Sequence, residues 1–337
     1  MSEARNVRVG VIGVGGMGAC HARNIADLGG SELAWIADPA EEAGRALADE
    51  LATRWVPEGL DVLDDCDAVV IACPDRFHAA YTLAALDRGV PILCEKPLTV
   101  ELDDAREILD REVSRGRRLL QVGFMREYDE RHIQVAETAR ELGEVRHVRC
   151  VHRNTNHSTD HLTKDQVRPV AQILVESVIH DIHSVRWLSG REIIEVNTTV
   201  VEREDKPRFV VLTCKLNGGG VATIEFDDGA AGYEVSVEVS AERGNVVAAE
   251  PVRALVRSDG AVSAEIGDDW FSPFLETYRV EMRDWLDSIG AGEARGPSTW
   301  DAVAAQVVVE AAIRSHQSGL AESVDLGERP AIYRRVA

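Results

Sequence analysis

The stretch VRVGVIGVGGMG, residues 7–18, decides the fold of this chain. Residues 7–12 form a mostly apolar run typical of a buried strand, and a helical pattern begins directly after the glycine-rich turn. Gly13, Gly15 and Gly18 have the spacing G-x-G-x-x-G. The first glycine allows a tight turn, the second lets the backbone approach a pyrophosphate, and the third lets the helix pack closely on the strand. The stretch therefore predicts a strand, turn and helix that bind a dinucleotide.

An acidic residue ends the next predicted strand. Asp38 closes ELAWIAD (32–38) and lies 20 residues after Gly18. Such a carboxylate accepts a hydrogen bond from a ribose 2′-hydroxyl and repels a 2′-phosphate. No arginine follows it, because the next residues are Pro39 and Ala40. The pattern predicts NAD rather than NADP, and the alternative is a structural turn with a surface aspartate.

Strands and helices alternate outward from this motif to residue 124. Further strands are predicted at DAVVIAC (67–73), VPILCE (90–95) and RLLQVGF (118–124), with helices near 76–88 and 99–115. Strands separated by helical patterns of this length indicate βαβ units and a parallel sheet. We therefore predict an α/β Rossmann domain with a doubly wound parallel sheet over residues 1–124.

The pattern changes after residue 124. The predicted elements are a helix at 128–143, a strand at 145–154, a polar loop at 155–168, a helix at 172–188, successive strands over 191–266 and closing helices near 273–290 and 299–318. Glycine-containing turns, Gly218-Gly219-Gly220, Asp228-Gly229 and Asp259-Gly260, stand where hairpins are expected. Residues 125–337 are thus predicted to form an α+β domain with a large, mostly antiparallel open sheet. The C-terminal helix is expected to pack back on the first domain.

Length and charge narrow the class of protein. The 337 residues suit two domains, and 37 basic against 58 acidic residues give a net charge of −21. This balance lacks the basic footprint of nucleic-acid binding and indicates either a solvated acidic surface or a field that attracts a cationic substrate. No apolar run approaches the ~18 residues of a membrane span, and no signal-peptide pattern opens the chain. With six scattered cysteines, these features predict a cytoplasmic protein without membrane partners or a metal site.

Two further motifs carry chemistry. Lys96, in Cys94-Glu95-Lys96-Pro97, follows a parallel strand and should point into the crevice where such sheets bind ligands. Glu176 and His180 are four residues apart in a predicted helix, a spacing that lets a carboxylate orient an imidazole acting as general base. Each motif taken alone also has an interpretation without a catalytic role. Lys96 would then be a surface lysine in a turn, and Glu176 and His180 would form a structural hydrogen bond. His183 shares part of the same face, but the set fits no metal-binding pattern.

Together these elements resemble the Gfo/Idh/MocA oxidoreductase family, closest to its inositol 2-dehydrogenase-like branch. The family fingerprint is the glycine-rich turn, the Glu-Lys-Pro tripeptide and a carboxylate four residues before a histidine, and all three occur here in order. Further similar stretches are GFMREYD (123–129), VHRN (151–154), ESVIHDIHSVRWL (176–188), GYEVSVEV (232–239) and GPSTWDAVAA (296–305).

The resemblance implies roles for individual residues. The catalytic set would be Lys96, Glu176 and His180. The residues expected to contact substrate are Arg126, His152, Asn154, His183 and Tyr233. The residues expected to contact the cofactor are Gly13, Gly15, Gly16, Met17, Gly18, Asp38, Cys73, Pro74, Asp75, His78, Glu95 and Lys96. The chain departs from the branch at Glu176 and His183, where Asp is usual, and at Pro273, where a basic residue is usual.

The implied activity is the reversible, NAD-dependent oxidation of a secondary ring hydroxyl of a cyclitol or sugar to a ketone, in a homodimer or homotetramer. The acidic composition and the altered residues favour an aminocyclitol or amino-sugar substrate, with myo-inositol 2-dehydrogenase activity as the alternative. An NAD(H)-binding sensor without catalysis is the alternative of another class. Retention of Lys96 and His180 speaks against the sensor, which needs neither.

Overall fold

A computed structural model of the chain describes residues 6–155, 168–203, 206–248, 255–258, 260–264, 267, 269–292 and 294–334. The predicted loop at 155–168 lies outside these ranges except at its two ends. The chain divides into two compact units. The first unit comprises residues 1–128, 276–306 and 326–337, and the second unit comprises residues 129–275 and 307–325.

The first unit contains the predicted Rossmann sheet. Its elements are β1 (Val7–Ile12), α1 (Gly16–Asp27), β2 (Ser31–Ala37), α2 (Glu41–Glu50), β3 (Arg54–Val56), β4 (Ala68–Ile71), α3 (His78–Arg88), β5 (Ile92–Cys94), α4 (Leu102–Arg115) and β6 (Leu120–Val122). The six strands are parallel and lie in the order β3-β2-β1-β4-β5-β6. The strand order reverses at β1, and ligands of such sheets bind at the carboxyl ends of the strands at this point. The predicted fold class is confirmed for this half.

The second unit contains a seven-stranded sheet covered by helices. Its elements are α5 (Glu130–Glu141), β7 (Val145–Arg153), α6 (Val170–Ile173), a π-helical turn (Leu174–Val178), α7 (Ile179–Ser189), β8 (Ile193–Arg203), β9 (Lys206–Leu216), β10 (Val221–Asp227), β11 (Glu234–Ala241), β12 (Gly244–Val247), β13 (Leu255–Ser258) and β14 (Ala261–Ala264). After the closing helices α8 (Leu275–Ala291) and α9 (Thr299–Ser318) comes β15 (Glu322–Ser323).

The order of the large sheet is β12-β11-β7-β10-β9-β8-β15, and its one parallel pairing joins β7 to β10. Helix α5 packs against β11 and β12, and α7 packs against β7. Along β11, side chains alternate between buried and half-buried positions, as expected when helices cover one face of a sheet. A mostly antiparallel sheet was predicted, and the structure confirms it.

Helix α8 contributes to the core of the first unit. Met282 and Trp285 are fully buried in the cluster that also contains Val9 and Val11 of β1 and Ile25 of α1. The four consecutive residues 9–12 of β1 alternate between the two faces of the sheet and are all buried, which explains the near-continuous apolar run that predicts β1. The spacing of three residues between Met282 and Trp285 places both on one helix face.

Several predictions about elements need correction. The strands β3 and β15 were missed, because two or three residues are too few to show a period. The predicted helix at 172–188 is interrupted by the π-helical turn. Asp228-Gly229 is not a hairpin turn, because β10 and β11 both pair with β7 rather than with each other. The described end of the strand predicted at 252–258 pairs with β14 in a separate two-stranded sheet, and Asp259 lies outside the described residues.

A buried acid on α8 gives a prediction about stability. Glu281 is fully buried, and neither carboxyl oxygen has a hydrogen-bond partner among the residues that the structure describes. Burial and the nearby charges of Glu95, Glu127 and Asp284 raise its pKa well above the ordinary value. As the pH rises above the pKa of an unfolded glutamate, the unfolded chain releases the proton first, so the free energy of unfolding falls.

We therefore expect Glu281→Gln, which keeps the shape of the acid but cannot ionise, to leave the melting temperature nearly unchanged at pH 5. At pH 8 it should raise the melting temperature by about 2–4 °C for each kcal/mol recovered. Differential scanning fluorimetry at both pH values measures this change, with Asp287→Asn on the exposed face of the same helix as the control. An equal gain at both pH values would contradict a neutral buried acid.

Candidate active site

The glycine-rich turn between β1 and α1 has no room for side chains on its inner side. Gly13 has a positive φ of 98°, and a Cβ there would lie 2.5 Å from the carbonyl oxygen of Ala72. A Cβ on Gly18 would lie 2.0 Å from the carbonyl oxygen of Gly13. Gly13 also donates its backbone N–H to Ala37 at 2.8 Å, which ties the turn to the end of β2.

The outer side of the same turn is open. Gly15 is the N-cap of α1, and Cβ atoms built on Gly15 and Gly16 would meet nothing within 4 Å. Met17, the next residue, is half-buried. The backbone N–H groups of the first helical turn can therefore be reached by a pyrophosphate, and the positive end of the helix dipole favours it there. These accessible backbone N–H groups fit the pyrophosphate of a dinucleotide.

Asp38 lies directly after β2, and hydrogen bonds fix its carboxylate. Its Oδ2 accepts from the backbone N–H of Val14 at 2.9 Å, and its Oδ1 accepts from that of Ala40 at 2.7 Å. The Nε1 of Trp55 on β3 donates to the Asp38 carbonyl at 3.0 Å. The carboxylate is thus held beside the glycine-rich turn, where a ribose hydroxyl would donate to it.

A cavity of about 420 Å³ opens beside this carboxylate. Its volume is typical of small-molecule sites. It is lined by Ile12, Gly13, Ala37, Asp38, Pro39, Pro57, Glu58, Gly59, Leu60, Cys73, Pro74, Arg76, Phe77, Ala80 and Tyr81. Four of the predicted cofactor residues line this cavity, Gly13, Asp38, Cys73 and Pro74, whereas Glu58, Arg76 and Tyr81 were not predicted.

Asp38→Ala tests the choice of cofactor. We expect the wild type to bind NADH more tightly than NADPH, and the variant to narrow that preference by about 10–100-fold, the worth of one charge-assisted hydrogen bond. Arg76 lines the same cavity and should then favour the 2′-phosphate. Fluorescence titration with both reduced dinucleotides measures the ratio. Asp38→Asn separates charge repulsion from the loss of hydrogen bonds, and a wild type that prefers NADPH would refute the assignment.

His78 is buried, and its ring hydrogen-bonds two backbone carbonyls instead of lining the cavity. Its Nε2 bonds the carbonyl of Cys73 and its Nδ1 bonds the carbonyl of Pro97, both at 2.8 Å. Burial alone lowers the pKa of His78, but interaction with Cys94 and the two carbonyl acceptors raises it overall to about 10. The imidazolium therefore donates to both carbonyls and joins the Cys73-Pro74 turn to the loop after Lys96. Asp75 is half-buried at the start of the 3₁₀ turn Asp75–Phe77.

The Glu95-Lys96-Pro97 segment leaves the carboxyl end of β5, as predicted. Glu95 is buried, and its Oε1 accepts from His21 Nε2 at 2.8 Å, while its Oε2 accepts from the backbone N–H of Lys96 at 3.3 Å. Burial raises the pKa of Glu95, but the His21 hydrogen bond and the Lys96 charge outweigh burial and lower it overall. Glu95 therefore holds the backbone of Lys96 through this hydrogen bond. The Lys96 side chain is half-buried, and of the two charged groups it is the nearer to solvent.

In the second unit, Glu176 lies in the π-helical turn. π-helical turns within α-helices are frequently found at functional sites. The Glu176 carboxylate accepts from Arg168 Nη1 at 3.4 Å and from Gln172 Nε2 at 2.8 Å. Arg168 also forms a two-pronged ion pair with Asp228, whose side chain is almost fully buried. Part of the negative charge of Glu176 and Asp228 is thus neutralised, a feature that the four-residue spacing from Glu176 to His180 could not reveal.

The adjoining helix α7 begins with the predicted base. His180 is half-buried in its first turn, and His183 one turn later is almost completely buried. The intervening Asp181 is fully buried, and its Oδ2 lies 3.0 Å from the Nδ1 of His152 on β7. Sequence reasoning missed Asp181, because the two residues of this pair are 29 positions apart.

The other predicted substrate residues fall at three places. The ring of Tyr233 meets those of His152 and Phe274 edge to face, with centroids 5.9 and 6.4 Å apart. Asn154 follows β7, and its backbone bonds Asp227 and Ala230. Arg126 belongs to the first unit, where it is 2% exposed in a 3₁₀ turn after β6.

No described helix is long and apolar enough to cross a membrane. Nor do three or more His, Cys, Asp or Glu side chains in the described ranges gather as they would around a metal ion.

Comparison with known proteins identifies both halves of the chain. Residues 7–124 match the family model for an oxidoreductase family with an NAD-binding Rossmann fold, and residues 132–247 match that for the Gfo/Idh/MocA C-terminal domain. Inositol 2-dehydrogenase 1 of Saccharopolyspora erythraea is 35% identical over 342 residues, which cover 97% of this chain and 99% of that protein. Inositol 2-dehydrogenase of Rubrobacter xylanophilus is 36% identical over 345 residues, with coverages of 99% and 97%.

The solved structures agree with this result. The crystal structure of myo-inositol dehydrogenase from Lactobacillus casei in complex with NAD(H) and myo-inositol superposes with a TM-score of 0.88 at 27% identity, covering 98% of this chain and 100% of that one. The scyllo-inositol dehydrogenase of the same organism, at 20% identity, has a TM-score of 0.87 and shares the fold.

Proposed function

The chain belongs to the Gfo/Idh/MocA oxidoreductase family, and from that premise we propose that it is an inositol dehydrogenase. It is an NAD-dependent oxidoreductase that acts on CH–OH groups. The proposed reaction is the reversible oxidation of a secondary ring hydroxyl of inositol to a ketone. The observation that carries the proposal is the identity of about 35% to inositol 2-dehydrogenases over nearly the whole chain.

When bound, NAD would supply the hydride acceptor for the carbinol carbon. The chain's own contribution begins with binding: the amides of the first turn of α1 hold the pyrophosphate, and Asp38 accepts from the adenosine ribose. The two hydrogen bonds of the buried His78 ring fix the loop that carries Lys96. This rigidity limits the motion of the catalytic lysine relative to the cofactor.

The proposed catalytic set is Lys96, His180 and Glu176. His180 takes the proton of the reacting hydroxyl, and we assign it to Nε2, because Nδ1 is buried. Lys96 stabilises the negative charge that develops on the oxygen as that proton leaves. Glu176, one turn before His180, favours the imidazolium form electrostatically, although it shares its charge with Arg168.

The remaining substrate contacts are proposed for Arg126, His152, Asn154, His183 and Tyr233. Within the second unit, Asp181 fixes the ring of His152, and the rings of His152 and Tyr233 are nearly perpendicular and in contact. A ring with several hydroxyls needs donors and acceptors in fixed directions, which a hydrogen-bonded histidine and a packed tyrosine supply. Loss of one such contact should raise KM more than it lowers kcat.

An aminocyclitol or amino-sugar substrate is the competing proposal. Its basis is the net charge of −21 and the carboxylate at position 176. The Arg168 guanidinium lies between Glu176 and Asp228 and weakens this argument, because it leaves the three groups with one net negative charge instead of two. We therefore favour a neutral polyol.

A screen of NAD reduction at 340 nm tests the proposal, with myo-inositol, scyllo-inositol, an amino-substituted inositol and a hexose at two salt concentrations. The expected result is the highest kcat/KM with an inositol, nearly independent of salt. A higher kcat/KM for the amine that declines as salt rises would favour the cationic substrate instead. No turnover of any alcohol despite NADH binding would support the sensor.

We further propose that the enzyme is a cytoplasmic homodimer or homotetramer. Val201, Val221 and Val247, on three different strands of the large sheet, are 53%, 43% and 49% exposed, and a second copy could cover such side chains. Light scattering of the purified protein measures the number of copies.

A further inference from the structure

The cavity beside Asp38 contains a second carboxylate. Glu58 follows β3 and lines the same space of about 420 Å³. When a dinucleotide places its pyrophosphate at the N-terminus of α1 and its adenosine ribose at Asp38, the adenine extends away from the glycine-rich turn. Besides the turn and Asp38, the lining includes Pro57, Glu58, Leu60, Arg76, Phe77, Ala80 and Tyr81. The cavity therefore offers the base apolar surfaces together with the Glu58 carboxylate and the Arg76 guanidinium.

Hydrogen bonds fix the Glu58 side chain. Its Oε1 accepts from the hydroxyl of Tyr81 at 2.9 Å and from the backbone N–H of Leu60 at 3.0 Å. Burial, followed by the contact with Glu58, raises the pKa of Tyr81, so its hydroxyl stays protonated and remains the donor. Within the described part of the chain, no group donates to Oε2 of Glu58, which leaves this oxygen as an acceptor.

We propose that Glu58, held by Tyr81, is a specificity-determining residue that accepts a hydrogen bond from the exocyclic amino group of adenine. A purine with an oxo group at the same position places an acceptor oxygen against the carboxylate. The oxo oxygen and the facing Glu58 oxygen are both acceptors, so neither donates a hydrogen bond to the other. Sites that hydrogen-bond a ligand donor reject analogues lacking it strongly, because a polar group is left unpaired. Glu58 thus selects adenine over hypoxanthine dinucleotides.

The inference rests on NAD as the cofactor and is independent of which alcohol is oxidised. It is tested by binding alone, with no alcohol present, in titrations of the full chain with NADH and with reduced nicotinamide hypoxanthine dinucleotide. These two ligands differ at C6, which carries an amine in adenine and an oxygen in hypoxanthine, and at the adjacent N1, which is an acceptor in adenine and an N–H donor in hypoxanthine. The fluorescence of the bound dihydronicotinamide reports both dissociation constants.

We expect the wild type to bind NADH about 10–100-fold more tightly than the hypoxanthine dinucleotide. Glu58→Gln should reduce the ratio to less than about threefold, because a carboxamide can turn either its amine or its oxygen to the base. Tyr81→Phe should reduce it partially, because the carboxylate loses one of the two donors that hold it. Glu32→Gln, an exposed acid at the amino end of β2, is the matched control and should keep the wild-type ratio.

Equal affinity of the wild type for both dinucleotides would overturn the inference, and so would an unchanged ratio in Glu58→Gln. If Glu58→Gln fails to fold, as judged by its melting curve, the wild-type ratio and Tyr81→Phe still decide. A failure of inositol turnover with the expected binding ratios would overturn only the proposed substrate.

Discussion

Replacing His180 with alanine should lower kcat by about 10²–10⁴-fold, the usual worth of a positioned acid–base group. The hydroxyl proton then has no side chain to receive it at the first turn of α7, and solvent must accept it instead. The pH dependence of kcat should also change, because the side chain that accepts the proton has been removed. Stopped-flow measurement of NADH formation across pH 5.5–9 gives both quantities.

The control for this variant is His147→Ala. His147 lies on β7 of the same unit, and its Nε2 bonds the hydroxyl of Thr223 at 3.0 Å. It has no proposed part in the reaction, so its loss should change kcat by less than about twofold. NADH should bind both variants as it binds the wild type. Near-normal turnover of His180→Ala would remove this residue from the mechanism.

Lys96→Ala should lower kcat by about 10²–10³-fold, as expected when a group that stabilises developing charge on oxygen is lost. The NADH dissociation constant should stay within about threefold, because the glycine-rich turn and Asp38 remain. Lys96→Arg, which keeps the positive charge, should retain more activity than the alanine variant. Steady-state kinetics combined with fluorescence titration separates these effects.

Lys215→Ala is the matched control, since this lysine pairs with Glu195 at 2.7 Å on exposed parts of β9 and β8. It should leave both kcat and NADH affinity unchanged. A Lys96→Ala variant with lost NADH binding and little change in kcat would assign the lysine to the cofactor alone.

The Rossmann half could be predicted from local pattern almost completely. The apolar run of β1, the G-x-G-x-x-G spacing and Asp38 are all local signals, and their structural context was found as predicted. The ends of the elements differ by one to three residues: the predicted helix at 99–115 begins at Leu102. The strand β3 was missed because three residues show no period.

In the second unit, individual strands could be predicted but their partners could not. The parallel pair β7 and β10 joins Val151 to Glu225, 74 residues apart, and no local pattern specifies such a pairing. The same limit applies to the candidate site. The Glu176–His180 spacing was visible, whereas the π-helical turn and the Asp181–His152 pair arise only when separate segments meet. Glu58 and Tyr81 likewise come from two separate segments of the Rossmann half, the loop after β3 and helix α3.

The burial of Trp285 in the core of the first unit has a consequence for folding during synthesis. Residues 1–124 leave the ribosome long before Met282 and Trp285, yet these two side chains complete the cluster around Val9, Val11 and Ile25. Part of the apolar surface of the nascent Rossmann half therefore stays exposed while about 160 further residues are translated. At about 5–20 residues per second, this takes about 8–32 s. Chaperones have that interval in which to bind it, and a fragment cut at residue 124 would keep the same surface exposed.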